Sequence, residues 1–493
     1  MNLFLVILVP LITCIAILLM DAKHSRSVAL IGAIMQFVAV ITLYVAFTHE
    51  RSIGNVFPIL FEQQYQWFPS LGFSFHIGVD GISVAMLLLT AFVVVAGVLV
   101  SWNMEKMKKE FFFFLTLLGF GAYGFFISLD LMVMFFFLEV AVVPKYLFIS
   151  IWGSGNKEYS ANKLALMLMG GSALILVALL GLYFSLPPET RTYDILKLAE
   201  MNIPFSLQRW VFPLIFTGFG VFTAMFPFHT WVPDGHSSAP TAGSMFLAGI
   251  SMKLGGYGCL RAATYLFPEG AHEYSGIIIV LASIAIIYGA FATMMQKDLK
   301  YINAYSSVSH CGFVLLGIGM LTKTAITGAV FQMVSHGLMT ALFFAIIGMV
   351  YERTHTRLVA EMGGLLKVMP FIITTLFIAG FASLGLPGLS GFVAEMTVFV
   401  GSWEHATVFH RTATIIACAS IVVTAVYILR AVGQVAMGPL KYNTDEKDDA
   451  RWNEKWAAVI LIAGIIIMGM APFWLNDLVS PGVELITNKL AGK

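Results

Sequence analysis

KEFFFFLTLLGFGAYGFFISLDLMVMFFFLEVAVVPKYLFISIW, residues 109–152, holds two apolar runs split by a single acid, Asp130. Each run is about twenty residues long, the length of helix that crosses roughly 30 Å of hydrocarbon. Two such runs back to back read as a helical hairpin in a bilayer. The second run nevertheless contains Glu139 and Lys145. A charge at that depth costs several kcal/mol unless it is paired or hydrated. The fold is therefore decided by the apolar runs, and the function by what interrupts them.

The rest of the chain repeats the pattern. Its 493 residues are 59% hydrophobic and 11% charged, against about 25% charged in a soluble domain. About fourteen spans fall near 2–21, 27–47, 81–101, 111–129, 131–151, 162–185, 209–230, 240–265, 274–295, 301–321, 326–350, 368–403, 411–432 and 455–475. The expected fold is an all-α polytopic membrane protein. The start, MNLFLVILVPLITCIAILLM, lacks a basic leader and a cleavage signal, and reads as a retained first span.

Two segments look interrupted. FPFHTWVPDGH carries Pro227 and Pro233, and LGLPGLSGF carries Pro387 among Gly385, Gly388 and Gly391. Proline removes a backbone donor and frees a carbonyl one turn back. Inside a membrane such backbone survives only where protein or water covers it. Two interrupted helices about five spans apart suggest internal repeats with an ion path at the breaks. Most of the 28 lysines and arginines fall in loops after odd-numbered spans, among them Lys106, Lys108, Lys109, Arg353 and Arg357. Those loops should be cytoplasmic and both termini outside. The polar connector KYNTDEKDDARWNEK, 441–455, reads as a solvated cytoplasmic loop.

Several classes are disfavoured. A net charge of +1 gives no argument for a nucleic-acid partner. Cys14, Cys259, Cys311 and Cys418 are far apart with no C-x-x-C, so iron–sulfur, zinc and disulfide readings are poor. No Walker loop appears, and the string GFGAYG (119–124) lies wholly inside an apolar run, so no cofactor, metal or redox site is expected in this chain.

Glu139, Lys145, Lys253, His336 and Glu395 are the ionisable groups set deep in apolar runs. A carboxylate beside a lysine stays charged, and changing their separation loads or releases a proton. A desolvated lysine can give up its proton near neutral pH. His336 has the ordinary affinity to bridge such transfers. Gly249, Gly255 and Gly256 around Lys253 permit close helix approach. His310, with Ser306, Ser307 and Ser309, is a further candidate for a polar path. His229, Asp234 and His236 flank the first break, either as a proton intake or as caps that pin the loop. Asp298 and Lys300 are expected to pair at a helix end, and Asp80 and Asp130 to lie near interfaces.

Five strings carry a resemblance: MFFFLEVAVVPKY (134–146), FHTWVPDGHSSAPTAGSMFLAGISMKLGGYG (228–258), QKDLKYINAYSSVSHCGFVLLG (296–317), FQMVSHGLMTALFF (331–344) and LGLPGLSGFVAEM (384–396). Together they resemble the antiporter-like subunits of respiratory complex I, the proton-pumping NADH–quinone oxidoreductase. Within that family they look most like the M type, as does HIGVDGISV (76–84). The resemblance implies two inverted five-helix repeats, each with a broken helix. The corresponding divisions are 1–109, 110–266, 267–434 and 435–493, the last holding a loop, helix 14 and the tail. It implies proton translocation in the bacterial inner membrane beside neighbouring subunits of the L and N types. NADH, FMN, iron–sulfur clusters and quinone would then reside in partner subunits. Related families sharing the fold are multisubunit Na⁺/H⁺ antiporters and membrane-bound hydrogenases. By resemblance Glu139 is the span-5 glutamate, Lys253 the span-8 lysine and Glu395 the terminal acid.

One position departs from the family. Its usual span-7 lysine is replaced here by Phe222, while span 5 carries the unusual Lys145. Lys145 either substitutes for the missing lysine beside Glu139 or snorkels to the interface. It follows Glu139 by six residues, about 9 Å along the helix and about 120° around it.

Overall fold

The computed structural model describes residues 2–68, 72–441 and 449–492. It is almost entirely helical. Helices α1 (Phe4–Leu19) and α2 (Ser25–Ser52) precede a two-stranded antiparallel hairpin, β1 (Leu60–Phe68) and β2 (Phe73–Val79). Then come α3 (Gly81–Val100), α4 (Lys108–Ile127), α5 (Leu131–Trp152), α6 (Lys157–Ser185) and the short α7 (Ile195–Glu200). A first broken segment is α8 (Phe205–Phe222) followed by α9 (Trp231–Ser238). The next segment runs through α10 (Thr241–Phe246), a π turn (Leu247–Ser251), α11 (Met252–Gly258) and a second π turn (Cys259–Thr264). Long helices α12 (Pro268–Met294), α13 (Leu299–Gly319) and α14 (Lys323–Thr354) follow. The second broken segment is α15 (Pro370–Leu384) and α16 (Ser390–Trp403), before α17 (Val408–Ala436), α18 (Trp452–Met470) and α19 (Phe473–Leu490).

Ten of the described helices are long and apolar enough to cross a membrane, and α1 and α15 are shorter apolar helices. Burial sorts them. The most apolar window of α14 is 100% buried and that of α3 94%, whereas α2 is 33% and α6 and α17 are 39% buried. α3 and α14 form the protein interior, and α2, α6 and α17 turn an apolar face outward.

Aspartates start four of these helices. Asp80, Asp130, Asp194 and Asp298 each accept backbone N–H groups of the first turn of α3, α5, α7 and α13. A carboxylate there satisfies donors that the helix leaves free. Both anticipated breaks are present. α8 stops at Phe222, and a turn with a cis peptide at Pro227 leads into α9. α15 ends on Gly385 at φ 74°, a left-handed conformation that favours glycine.

One face of the bundle carries the hairpin and α19. α19 lies across the ends of α3, α12 and α14: Lys323 pairs with Glu484, and His272 Nε2 is 3.0 Å from the Leu490 carbonyl. Neither the hairpin nor α19 was anticipated. The opposite, basic face carries the turns with Lys106, Lys108, Lys109 and Arg357. The solvated-loop reading of 441–455 needs one correction. Residues 442–448 lie outside the described residues, and 452–455 belong to α18. Glu454 is buried against Arg353 at 2.7 Å, and Asn453 donates to the Leu99 carbonyl at 2.8 Å. This end is an anchor, because its polar groups find partners inside the bundle.

Candidate functional site

Lys253 sits on α11, just past the first π turn, and is 1% exposed. The π turn inserts an extra residue into the helix and loosens its carbonyl ladder. Lys253 Nζ donates to the Ala248 carbonyl at 2.5 Å and lies 2.6 Å from His336 Nδ1 on α14. A donating ammonium requires Nδ1 to be the unprotonated nitrogen, with the ring proton on Nε2. Cys311 Sγ lies 3.9 Å from the same Nδ1. The glycines do what their size suggests. A Cβ at Gly255 would collide with the Phe219 carbonyl and Thr223, and one at Gly256 with Met333.

Beyond His336 the polar groups continue. The His310 and His336 rings are 5.4 Å apart, centre to centre. His310 Nδ1 lies 3.4 Å from Glu395 Oε1 and 3.2 Å from Gln332 Nε2, and His310 Nε2 lies 3.1 Å from Ser383 Oγ. Glu395, 4% exposed, projects from the start of α16 directly after the second break. Lys253, His336, His310 and Glu395 thus form one row across α11, α14, α13 and α16. Of the three serines near His310, only Ser306 joins other side chains, meeting Tyr427 Oη at 2.9 Å. Ser307 and Ser309 donate to the Asn303 and Ile286 carbonyls and line no path.

Lys145 does not snorkel. It is 1% exposed, and its ammonium has no hydrogen-bond partner among the described residues. It lies 5.6 Å from the centre of the Phe222 ring. A desolvated cation over an aromatic face is attracted by about 2 kcal/mol. Glu139 is the acid acting on it electrostatically, but no direct ion pair joins the two among the described residues. Glu139 is half-buried, not fully buried, and its carboxylate accepts a hydrogen bond from Ser172 on α6.

The residues at the first break divide. Asp234 caps no helix; it bridges to Lys163 on α6 at 2.7 Å. His236 is fully buried, its ring nitrogens have no well-formed hydrogen bond among the described residues, and its ring stacks on Phe344. His229 stacks on Phe226, and its Nδ1 is also unpartnered. These imidazoles therefore do not pin the loop by hydrogen bonds from those atoms. The expected Asp298–Lys300 pair is absent. Asp298 is committed to the α13 cap and to Arg357 at 3.2 Å, and Lys300 Nζ donates to the Ala239 carbonyl at 2.7 Å.

One buried pair was missed. Asp80 is fully buried and ion-paired with Arg261, and Tyr257 and Ser83 extend the cluster. Arg261 sits five residues past a glycine-rich turn, inside an apolar run that itself signals a buried partner.

Known proteins resemble this chain in sequence and in fold. A family model described as NADH:quinone oxidoreductase/Mrp antiporter, TM, matches residues 128–424. NADH-quinone oxidoreductase subunit M of Rickettsia prowazekii is 36% identical over 477 residues, covering 94% of each chain. A chain of respiratory complex I from Thermus thermophilus superposes with a TM-score of 0.89 at 25% identity, covering 99% of each chain. A chain of the Mrp complex from Dietzia shares the fold, with a TM-score of 0.85 at 18% identity over 99% of this chain and 97% of that one. With a family match over more than half its length and a relative this similar end to end, the chain belongs to the NADH:quinone oxidoreductase/Mrp antiporter transmembrane family, within its subunit M branch.

Proposed function

We propose that this chain is a proton-translocating membrane-arm subunit of an NADH–quinone oxidoreductase. The observation that carries the reading is the buried row Lys253–His336–His310–Glu395, with its 2.6 Å and 3.4 Å contacts. A proton held as the Lys253 ammonium passes to His336 Nδ1. A water between the rings would link His336 to His310, whose Nδ1 faces the Glu395 carboxylate. Glu139 and Lys145 govern the loading of Lys253 by their charge. Intake follows the first break past Lys163, Asp234 and the buried His236.

Lys145 takes the place of the lysine that the family carries at Phe222. The ammonium over the Phe222 ring supports this: the charge arrives at the same locus from the neighbouring helix. On this reading the basic face is cytoplasmic, the membrane is the bacterial inner membrane, and both termini are outside. The chain makes about fourteen crossings in two inverted repeats, 110–266 and 267–434. Its neighbours are antiporter-like subunits of the L and N types. Partner subunits hold NADH, FMN, iron–sulfur clusters and quinone.

The test is purification of the tagged chain from its native membrane in mild detergent. NADH–quinone reductase activity should co-purify with flavin and iron–sulfur signals. A pure, intact complex without NADH oxidation would overturn the reading in favour of a free-standing cation/proton antiporter.

A further inference from the structure

A cavity of about 250 Å³ opens between the basic-face ends of α12, α13 and α17. Lys297, Arg430 and Gln434 stand exposed at its rim, while Ile302, Ala431 and Tyr427 are buried at its floor. This volume has room for several waters. The floor is not apolar. Tyr427 presents its hydroxyl to Ser306 Oγ at 2.9 Å, with Ser383 and Thr424 also beside it. Ser383 Oγ in turn meets His310 Nε2 at 3.1 Å, and His310 Nδ1 faces Glu395 at 3.4 Å. A run of protonable oxygens and nitrogens therefore leads from the basic face to Glu395 without touching Lys253 or the first broken helix.

We propose that this run is a second proton intake, serving the His310–Glu395 half of the row, with the Tyr427 hydroxyl as its gate. The inference rests on the proton-translocating reading above. The transfer balances by hydroxyl relay. A hydronium in the cavity gives a proton to Tyr427 Oη as the Tyr427 O–H proton passes to Ser383 Oγ beside it. The proton of Ser383 then goes to His310 Nε2, and the Nδ1 proton of His310 goes to Glu395, with the Gln332 amide turned so that its oxygen faces Nδ1. One proton enters at the cavity, one arrives on the carboxylate, and each hydroxyl keeps one proton. Lys297 and Arg430 at the rim disfavour metal cations, and a relay through hydroxyls needs no opening of ionic size.

The gating role follows from geometry. The Tyr427 hydroxyl is held beside Ser306 and Ser383, and rotating the Tyr427 side chain away breaks the relay. An ungated connection of this kind beside the terminal acid would dissipate the gradient. A single buried oxygen that makes or breaks the chain is the economical control.

The experiment uses the intact purified complex in proteoliposomes, reading protons pumped per NADH oxidised. Tyr427→Phe keeps the ring and removes the relay oxygen. In a Cys418→Ser background, Gln434→Cys is modified at the rim from the basic face by a bulky, membrane-impermeant thiol reagent. The expected result is a ratio at least about two-fold lower for both, with subunit content and NADH oxidation retained. A ratio unchanged in Tyr427→Phe and unchanged by the reagent overturns the proposal. Glu395→Gln in the same assay separates the two readings. If Glu395→Gln lowers the ratio while Tyr427→Phe does not, only the second intake is lost. If Glu395→Gln also pumps normally, the translocating reading fails first.

Discussion

Lys145 is held by less than its dehydration costs. The Phe222 ring returns about 2 kcal/mol, and a centre-of-membrane lysine costs at least about 2.5–3.5 kcal/mol. The remainder depends on the field of Glu139, the one acid acting on it. Such a lysine is sensitive to small movements of its acid, which suits a group that loads and discharges. Lys145→Met should leave the complex assembled and clearly lower pumping, measured as protons per NADH in proteoliposomes. Adding Phe222→Lys should restore it, since the ammonium would return to the same locus from α8. A different outcome is expected at the missed pair. Arg261→Met strands Asp80 in the interior and should lower stability by roughly 3–5 kcal/mol, seen as a drop in the thermal unfolding midpoint in detergent. The double change Asp80→Asn with Arg261→Met should cost less, because no charge is left unpaired. The deep ionisable groups were legible because charge inside an apolar run is rare. Tyr427, Gln332 and Ser383 were not, because a tyrosine, glutamine or serine in a membrane helix is common and only its neighbours give it a role.

Helix breaks were readable from Pro227, Pro387 and the glycines around them, and both sit where the row begins and ends. The π turn before Lys253 was not readable, since LAGIS has no proline and its one glycine, Gly249, is common in membrane helices. The hairpin had a signal that went unused: Tyr65 and Trp67 alternate with Gln64 and Gln66, and Phe73, Phe75 and Ile77 with Ser74 and His76, the two-residue period of a strand. His76 fastens it, lying 2.9 Å from Asp194 and 2.8 Å from Glu62. Burial alone would lower the His76 affinity for its proton, but hydrogen bonds and charge from Asp194 and Glu62 outweigh it and raise the pKa above 6.5. Burial pushes Asp194 up, yet its bond and charge with His76 and the Leu196 and Lys197 amides bring it below 3.8. Asp130 is the remaining acid facing this cluster. The signs follow. The His76 contribution is complete below pH 6.5 and is lost as pH rises through its raised value. The Asp194 contribution is present above pH 3.8 and is lost as pH falls through its depressed value. The hairpin should therefore be held most firmly in the mildly acidic window between the two. Amide hydrogen exchange across Leu60–Val79 should be slower, after correction for intrinsic rates, at about pH 6 than at about pH 8.5. His76→Gln should reduce that difference, leaving the part due to Asp130, which burial pushes up to about 6 and which accepts from the Ser74 amide.

On the scale of the whole molecule, moving one charge against about 100 mV requires roughly 2.3 kcal/mol. Interactions between near neighbours in a row of buried charges are of that size. The bundle supplies the conditions: the most apolar window of α14 is wholly buried, so His336 sees protein on every side, and the breaks place Glu395 where backbone is already loosened. Composition and span pattern made the class of fold legible. The register of α11, α13, α14 and α16, which turns four separated residues into one row, was not, because it is set by packing between helices far apart in sequence. The most direct test of that row is Lys253→Met in the intact complex, with protons pumped per NADH oxidised measured in proteoliposomes. The account predicts a ratio clearly below that of the parent complex. An unchanged ratio at an unchanged rate of NADH oxidation would contradict it.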